Sequence, residues 1–229
     1  MHNPIFDAVV FGMIVAGYVI GRWADPRRRA RRALDKVGSS SIRELQEGER
    51  AHVTGIVGAR GATMVSPVGQ HPCIGFRLLV QSLESGAKED TWRSVLKRAA
   101  CDPFWIKDET GEAVVDGPFF IGLDPDDAAW AGLPSALYSL LEDAKVPMTG
   151  MFGRDKQFRF SEAILKAGDR IAVLGRAFYE SDPTGASAVL RAPAMSWHLK
   201  GSAKEPVILA DVEDPDQLDD ESPVRSDDG

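Results

Sequence analysis

Residues 5–21 (IFDAVVFGMIVAGYVIG) form an apolar run broken only by Asp7, and arginines follow it almost at once. A helix of ~17 to 19 residues rising 1.5 Å per residue covers roughly 26–29 Å, the depth of a bilayer's hydrocarbon core. Ile5, Phe6, Val9, Val10, Phe11, Ile14, Val15, Val19 and Ile20 supply the apolar bulk. Asp7 lies near one end, within reach of headgroups and water; at the centre a carboxylate would cost about 3 kcal/mol. Tyr18 and Trp23 suit the interfacial aromatic belt. A cleaved signal peptide carries its positive charges ahead of the apolar core, and here they come behind it. Residues 1–24 are therefore expected to be a single-pass transmembrane anchor.

Arg22, Arg27, Arg28, Arg29, Arg31 and Arg32 follow that run. Basic flanks stay on the cytoplasmic side, so the expected topology has the N-terminus outside and the remaining chain in the cytoplasm. Near anionic headgroups each such charge contributes about 1 kcal/mol of attraction. Residues 25–41 accordingly read as a basic juxtamembrane linker ending in a Gly38-Ser39-Ser40-Ser41 joint. Within the anchor, Ala8, Gly12 and Ala16, and again Gly17 and Gly21, recur every four residues. That spacing permits close helix approach, and hence self-association, in lipid.

The formal charge of −7 is unevenly distributed. Met1 to Lys36 holds seven basic residues against three acidic ones, whereas Glu205 onward holds ten acidic against Arg225 alone. The sequence thus runs from basic anchor through a near-neutral middle to an acidic tail at 213–229, expected to be disordered. A near-neutral middle disfavours nucleic acid, which needs basic grooves with stacking aromatics.

Between these ends, residues 42–212 consist of short β-branched or aromatic runs bounded by Gly, Pro and Asp. Ala51–Val57, Cys73–Leu83, Phe104–Lys107, Ala113–Asp116, Phe119–Leu123 and Arg170–Leu174 are expected strands, the last of them half-buried by its alternation. Asp108-Glu109-Thr110-Gly111 is a hairpin turn with Gly111 expected at positive φ, and Asp182-Pro183-Thr184-Gly185 a second turn. Leu133, Leu137, Leu140, Leu141 and Ala144 form one apolar stripe, predicting an amphipathic helix over 134–145 that packs on the strands. The expected fold is mainly β: a curved sheet or small, partly open β-barrel with one amphipathic helix, behind the transmembrane helix.

Several strings in this stretch resemble the GIDE, or beside-a-membrane, domain of membrane proteins related to the mitochondrial ubiquitin ligase MULAN. They are Ser66-Pro67, Pro72-Cys73-Ile74-Gly75-Phe76-Arg77, Trp92, Phe104 to Asp108 and Thr110 to Asp116. Phe160 to Leu165, containing Glu162, and Gly168-Asp169 through Gly175 complete the set. Ser66, Pro67, Cys73, Asp108, Gly111, Glu162, Gly168 and Asp169 are the motif positions, and the resemblance covers about Glu44 to Val212. It implies a β-rich module beside a bilayer, to which the family's ligases add a zinc-binding RING finger. A RING needs repeated Cys and His pairs. This sequence has only Cys73, Cys101, His2, His52, His71 and His198, with no Cys-x-x-Cys.

His71 and Cys73, two apart, suggest a thiolate–imidazole pair, but Pro72 disturbs the strand between them and no third group orients the histidine. Gly55, Gly58 and Gly61 have neither the dinucleotide nor the P-loop spacing, so bending of a strand is their expected role. Arg159 and Glu162, three apart, should face opposite sides of a strand. No catalytic residue, cofactor or metal ligand is expected. The sequence therefore leads to a membrane-anchored, non-enzymatic binding, scaffold or sensor module, with the lipid bilayer and an unidentified protein as partners. The alternative is an accessory part of a RING-type ubiquitin-transferase system.

Overall fold

A computed structural model describes residues 25–84, 90–125, 134–150, 155–182 and 194–212. The apolar run, the Gly185 turn and the acidic tail lie outside the described residues. The strands are β1 (Arg50–Ala59), β2 (Met64–Val65), β3 (Pro72–Cys73), β4 (Gly75–Glu84), β5 (Thr91–Cys101), β6 (Phe104–Lys107), β7 (Glu112–Asp116), β8 (Phe119–Ile121), β9 (Phe158–Leu165), β10 (Arg170–Asp182), β11 (Ala194–Lys200) and β12 (Val207–Asp211). The helices are α1 (Pro26–Leu34) and α2 (Ser135–Asp143), with a short 3-10 turn at Ile42–Glu44.

Five strands close into a barrel in the order β1-β6-β7-β11-β10, and β10 returns to β1. Alternation explains the closure. Ala51, Val53 and Val57 on β1, Phe104 and Ile106 on β6, and Ile171 and Val173 on β10 share one buried cluster, while their neighbours point outward. Only the β7–β11 pair is parallel within this ring. The long strand β10 pairs with β1 through Arg176 and with β11 from Arg176 onward, so it changes partners beside Gly175. A β-carbon at 175 would lie 3.1 Å from that of Leu199, and glycine lets the strands approach there.

Outside the ring, β12 adds to β10 and β8 adds to β12, extending the sheet past the barrel. This extension is buried on both faces. Ile171, Val173, Val207 and Leu209 point into the barrel, whereas Ala172, Leu174 and Ala210 meet Ala30 and Leu34 of α1. The expectation of a half-buried strand at 170–174 is corrected accordingly, because a helix covers the second face. That helix is formed by the arginine-rich stretch itself. Asp25 caps it by accepting from the Arg27 amide, Pro26 occupies its first position, and Arg31 and Arg32 sit in its last turn. Residues 26–34 are thus a packed helix rather than a linker. Ser39 bridges to His52, and the Ser40 amide donates to the His52 carbonyl, so the joint too is tied to β1.

The insertions between barrel strands build a second layer. β5, β4 and β9 form an antiparallel three-stranded sheet, and β2 and β3 a short ribbon. Leu137 and Leu141 of α2 pack with Val68, Leu78 and Val80 against one face of that sheet. The amphipathic helix forms as its stripe predicts, with Pro134 at its N-cap. Ala163 and Leu165 at the end of β9 belong to the barrel's own cluster and join the two layers.

Candidate functional site

The motif positions fall into three joints of the framework. In the first, Glu162 is buried, and its carboxylate accepts from the amides of Val68 (2.9 Å) and Gly69 (2.8 Å) and from the Ser66 hydroxyl (3.2 Å). Ser66 Oγ in turn accepts from the His71 amide at 3.2 Å. One acid on β9 therefore pins the loop between β2 and β3, which contains Pro67. Arg159 lies on the opposite face, its guanidinium 4.5 Å from the Trp92 ring and its Nε donating to Gln81. The expected division of that pair between faces is what the strand delivers.

In the second joint, Asp108 opens the β6–β7 turn. One carboxylate oxygen accepts from the amides of Thr110 (2.6 Å) and Gly111 (2.9 Å), and the other from the Ile42 amide (2.7 Å). Burial alone would raise this carboxyl, but these hydrogen bonds outweigh it and hold it below its ordinary value. Gly111 is not at positive φ, contrary to expectation. Space around it is tight instead: a β-carbon would come 3.3 Å from Ile42 Cγ2, which would have to give by a few tenths of an ångström.

In the third joint, Gly168 does adopt positive φ (96°), and Asp169 Oδ2 accepts from the Lys166 amide at 2.6 Å. This turn joins the second layer to the barrel. Arg159, Glu162 and Asp169 thus occupy three separate places.

The cysteines are free thiols in apolar surroundings. Burial pushes Cys73 up, with Glu162 adding to the shift, and pushes Cys101 up to about 12. A nucleophile needs the opposite shift. Cys73 beside His71 has the environment of an inert core residue, and Cys101, ending β5, packs against the barrel cluster. Among the described residues, no group of three or more His, Cys, Asp or Glu side chains is arranged to hold a metal.

In chain order the second and third strands of the ring are β6 and β7. Their outer face carries Trp105, with Arg60 5.2 Å from its ring, and a Lys107–Glu112 ion pair at 3.1 Å. Beside it a groove of about 700 Å³ runs between the 39–41 segment, the middle of β1 and the 107–110 turn, with Arg170 at its edge. Lys107 and Arg170 are balanced there by Asp108 and Glu109, so the groove has no dominant sign.

The most strongly charged of these clefts lies on α1. Arg27, Arg28, Arg31 and Arg32 line a cleft of about 510 Å³ with Asp25 and Asp124. Arg27 Nη1 reaches Asp124 at 3.0 Å and its Nε reaches Asp25 at 3.3 Å; Arg31 approaches Asp124 at 4.0 Å. Burial would raise Asp25, but the hydrogen bonds and charge of Arg27 win and lower it. The Asp124 amide is held by Asp211 Oδ2 at 2.5 Å, and burial raises the Asp211 carboxyl. Arg29 points elsewhere, 5.0 Å from the ring of Phe120. The helix differs from the expected linker, and its sequence signal is the spacing of Ala30, Ala33, Leu34 and Val37 among the arginines.

No family model, curated protein or solved structure matches this chain. No helix among the described residues is long and apolar enough to cross a membrane, and the 5–21 run lies outside them.

Proposed function

We propose that this chain is a membrane-anchored binding module whose β-barrel is held against the cytoplasmic face of a bilayer and engages a protein partner there without chemical turnover. The observation that carries the proposal is the fastening of α1. The arginine-rich segment directly follows the apolar run, and Ala30 and Leu34 of that segment are buried against β10 and β12. A basic linker would leave the barrel on a long tether; a helix packed onto the sheet reduces the connection between barrel and apolar run to Arg22, Trp23 and Ala24. The anchor thereby acts on the whole domain.

The motif positions that carry the resemblance to the GIDE domain act as structural joints, which suits a binding framework. Ser66, Asp108, Gly111, Glu162, Gly168 and Asp169 hold loops and turns together, and the raised thiols are poor nucleophiles. Binding requires only such a framework with an exposed surface.

The test combines topology with capture. Reporter fusions at both ends should place the N-terminus outside and the barrel in the cytoplasm. Crosslinking in intact membranes should recover a defined protein partner, and Cys73→Ser and His71→Ala should leave that capture unchanged. A barrel on the outer side, or turnover of a substrate abolished by either substitution, would overturn the proposal.

A further inference from the structure

We propose that the cleft between α1 and Asp124 is a binding site for a phosphomonoester headgroup of a membrane lipid. The inference rests on the anchored reading above and adds a specific ligand to it. Four guanidinium groups face two carboxylates around the cleft, leaving about two positive charges. A phosphomonoester carries about −1.5 to −2 at pH 7, and guanidinium forks match its oxygens.

The two carboxylates do not cancel the site; they organise it. Asp25 and Asp124 hold Arg27 between them at 3.3 and 3.0 Å, and Arg28 and Arg31 lie 3.8 and 4.0 Å from the same two carboxylates. Guanidinium groups held this way lose less entropy on meeting an anion than free arginines would. A further cation stands behind the wall. Arg77 donates from Nη2 to the carbonyl of Leu123, next to Asp124, while its buried Nε has no hydrogen-bond partner. Burial, more than any neighbouring charge, weakens its hold on its proton; Arg27 acts in the same direction, and Asp25, Asp124 and Asp211 act against it. An anion in the cleft would add to the negative charge that favours this buried cation.

Placement points to a lipid rather than a soluble phosphate. Arg22, Trp23 and Ala24 alone separate the apolar run from Asp25, a reach of no more than about 14 Å even for extended chain. A headgroup layer is about 5–8 Å thick on each side of the core. Asp25, at the cleft's edge, therefore lies within about 14 Å of the apolar run's end, a distance that brings the cleft near the layer where lipid phosphates are concentrated.

The experiment titrates the full-length protein in neutral detergent with dioctanoyl phosphatidic acid. Dioctanoyl phosphatidylcholine, glycerol 3-phosphate and inorganic phosphate are parallel arms, and bound adducts are read by native mass spectrometry. Saturable binding of phosphatidic acid is expected, with no binding of phosphatidylcholine and weaker binding of both soluble phosphates. Arg28 and Arg31 are 45% and 42% exposed, so replacing them leaves the fold intact. R28Q and R31Q should each weaken binding at least about tenfold, the scale of a lost charged hydrogen bond. R29Q removes the same charge outside the cleft and should weaken it less than about twofold, since one monomeric lipid senses contacts rather than surface potential. Equal losses from R29Q and R31Q would reduce the site to diffuse charge and overturn the proposal. So would equal affinity for glycerol 3-phosphate and the lipid, which would make the ligand soluble. Failure of the anchored reading shows separately, as protein left in the supernatant after lysis without detergent.

Discussion

Gly122 lies directly beneath Ala30: a β-carbon at position 122 would come 2.3 Å from the Ala30 methyl. It would also lie 3.0 Å from the Leu209 carbonyl and 3.2 Å from that of Pro26. This contact seats the basic helix on the extended sheet and sets the cleft's geometry.

Gly122→Ala is therefore expected to push α1 off the sheet and cost about 1–3 kcal/mol, the usual penalty of overpacking. Ala30→Gly frees part of that space. It should cost about 1 kcal/mol alone, as glycine does in a helix, and less in the Gly122→Ala background. Denaturant midpoints of the full chain in detergent give the coupling. Simple additivity would show that the two positions do not share the contact.

Much of this arrangement is legible in the sequence, and its failures share one cause. β1 and β6 each have one clean apolar face by alternation, and the leucine spacing locates α2, whereas β7, buried from Ala113 through Val115, is legible only as a β-branched run between turn residues. The α1 stretch hides its face: only Ala30 and Leu34 are buried among five arginines, so charge dominates the pattern. Missing that helix also made Ile171-Ala172-Val173-Leu174 look half-buried, since the second buried face belongs to residues far away in sequence. The Ser66–Glu162 joint spans 96 positions and leaves no local trace beyond a charged residue in an apolar strand.

That joint gives a second expectation. Glu162→Ala strips the acceptor from the Val68 and Gly69 amides and the Ser66 hydroxyl, and leaving such donors unsatisfied costs about 1–3 kcal/mol. Hydrogen exchange should show new opening confined first to residues 66–71. Glu162→Gln, which retains one carbonyl acceptor, should lose less. Identical losses for the two variants would mean that the acceptor is not what holds the loop.

Asp108 predicts a pH dependence with a definite sign. Its folded carboxyl lies below the ordinary 3.8, so the unfolded chain binds the proton more tightly. The stability it contributes is complete above 3.8 and is lost as pH falls through the folded value. Asp108→Asn should therefore destabilise by about 1 kcal/mol at pH 7, where the charged acceptor is intact. The gap to the natural protein should narrow below pH 3.8. Asp211, raised by burial, acts with the opposite sign, and the paired comparison removes its effect. A gap that widens in acid would contradict the assigned bonds.

Both thiols should resist alkylation. With Cys101 raised to about 12, roughly one molecule in ten thousand carries its thiolate at pH 8. Cys73 is 1% exposed and raised in the same direction. Iodoacetamide at pH 8 should leave both unmodified in the folded protein and label both in denaturant, as read by intact mass. Rapid labelling of folded Cys73 would revive a thiolate beside His71.

The most direct test of the central claim is where the full-length protein goes when cells are broken open without detergent. Ultracentrifugation should bring it down with the membranes, and high salt or alkaline carbonate should leave it there, because apolar burial rather than arginine attraction retains it. Detergent alone should release it. Recovery in the supernatant, or release by salt, would contradict an anchored barrel.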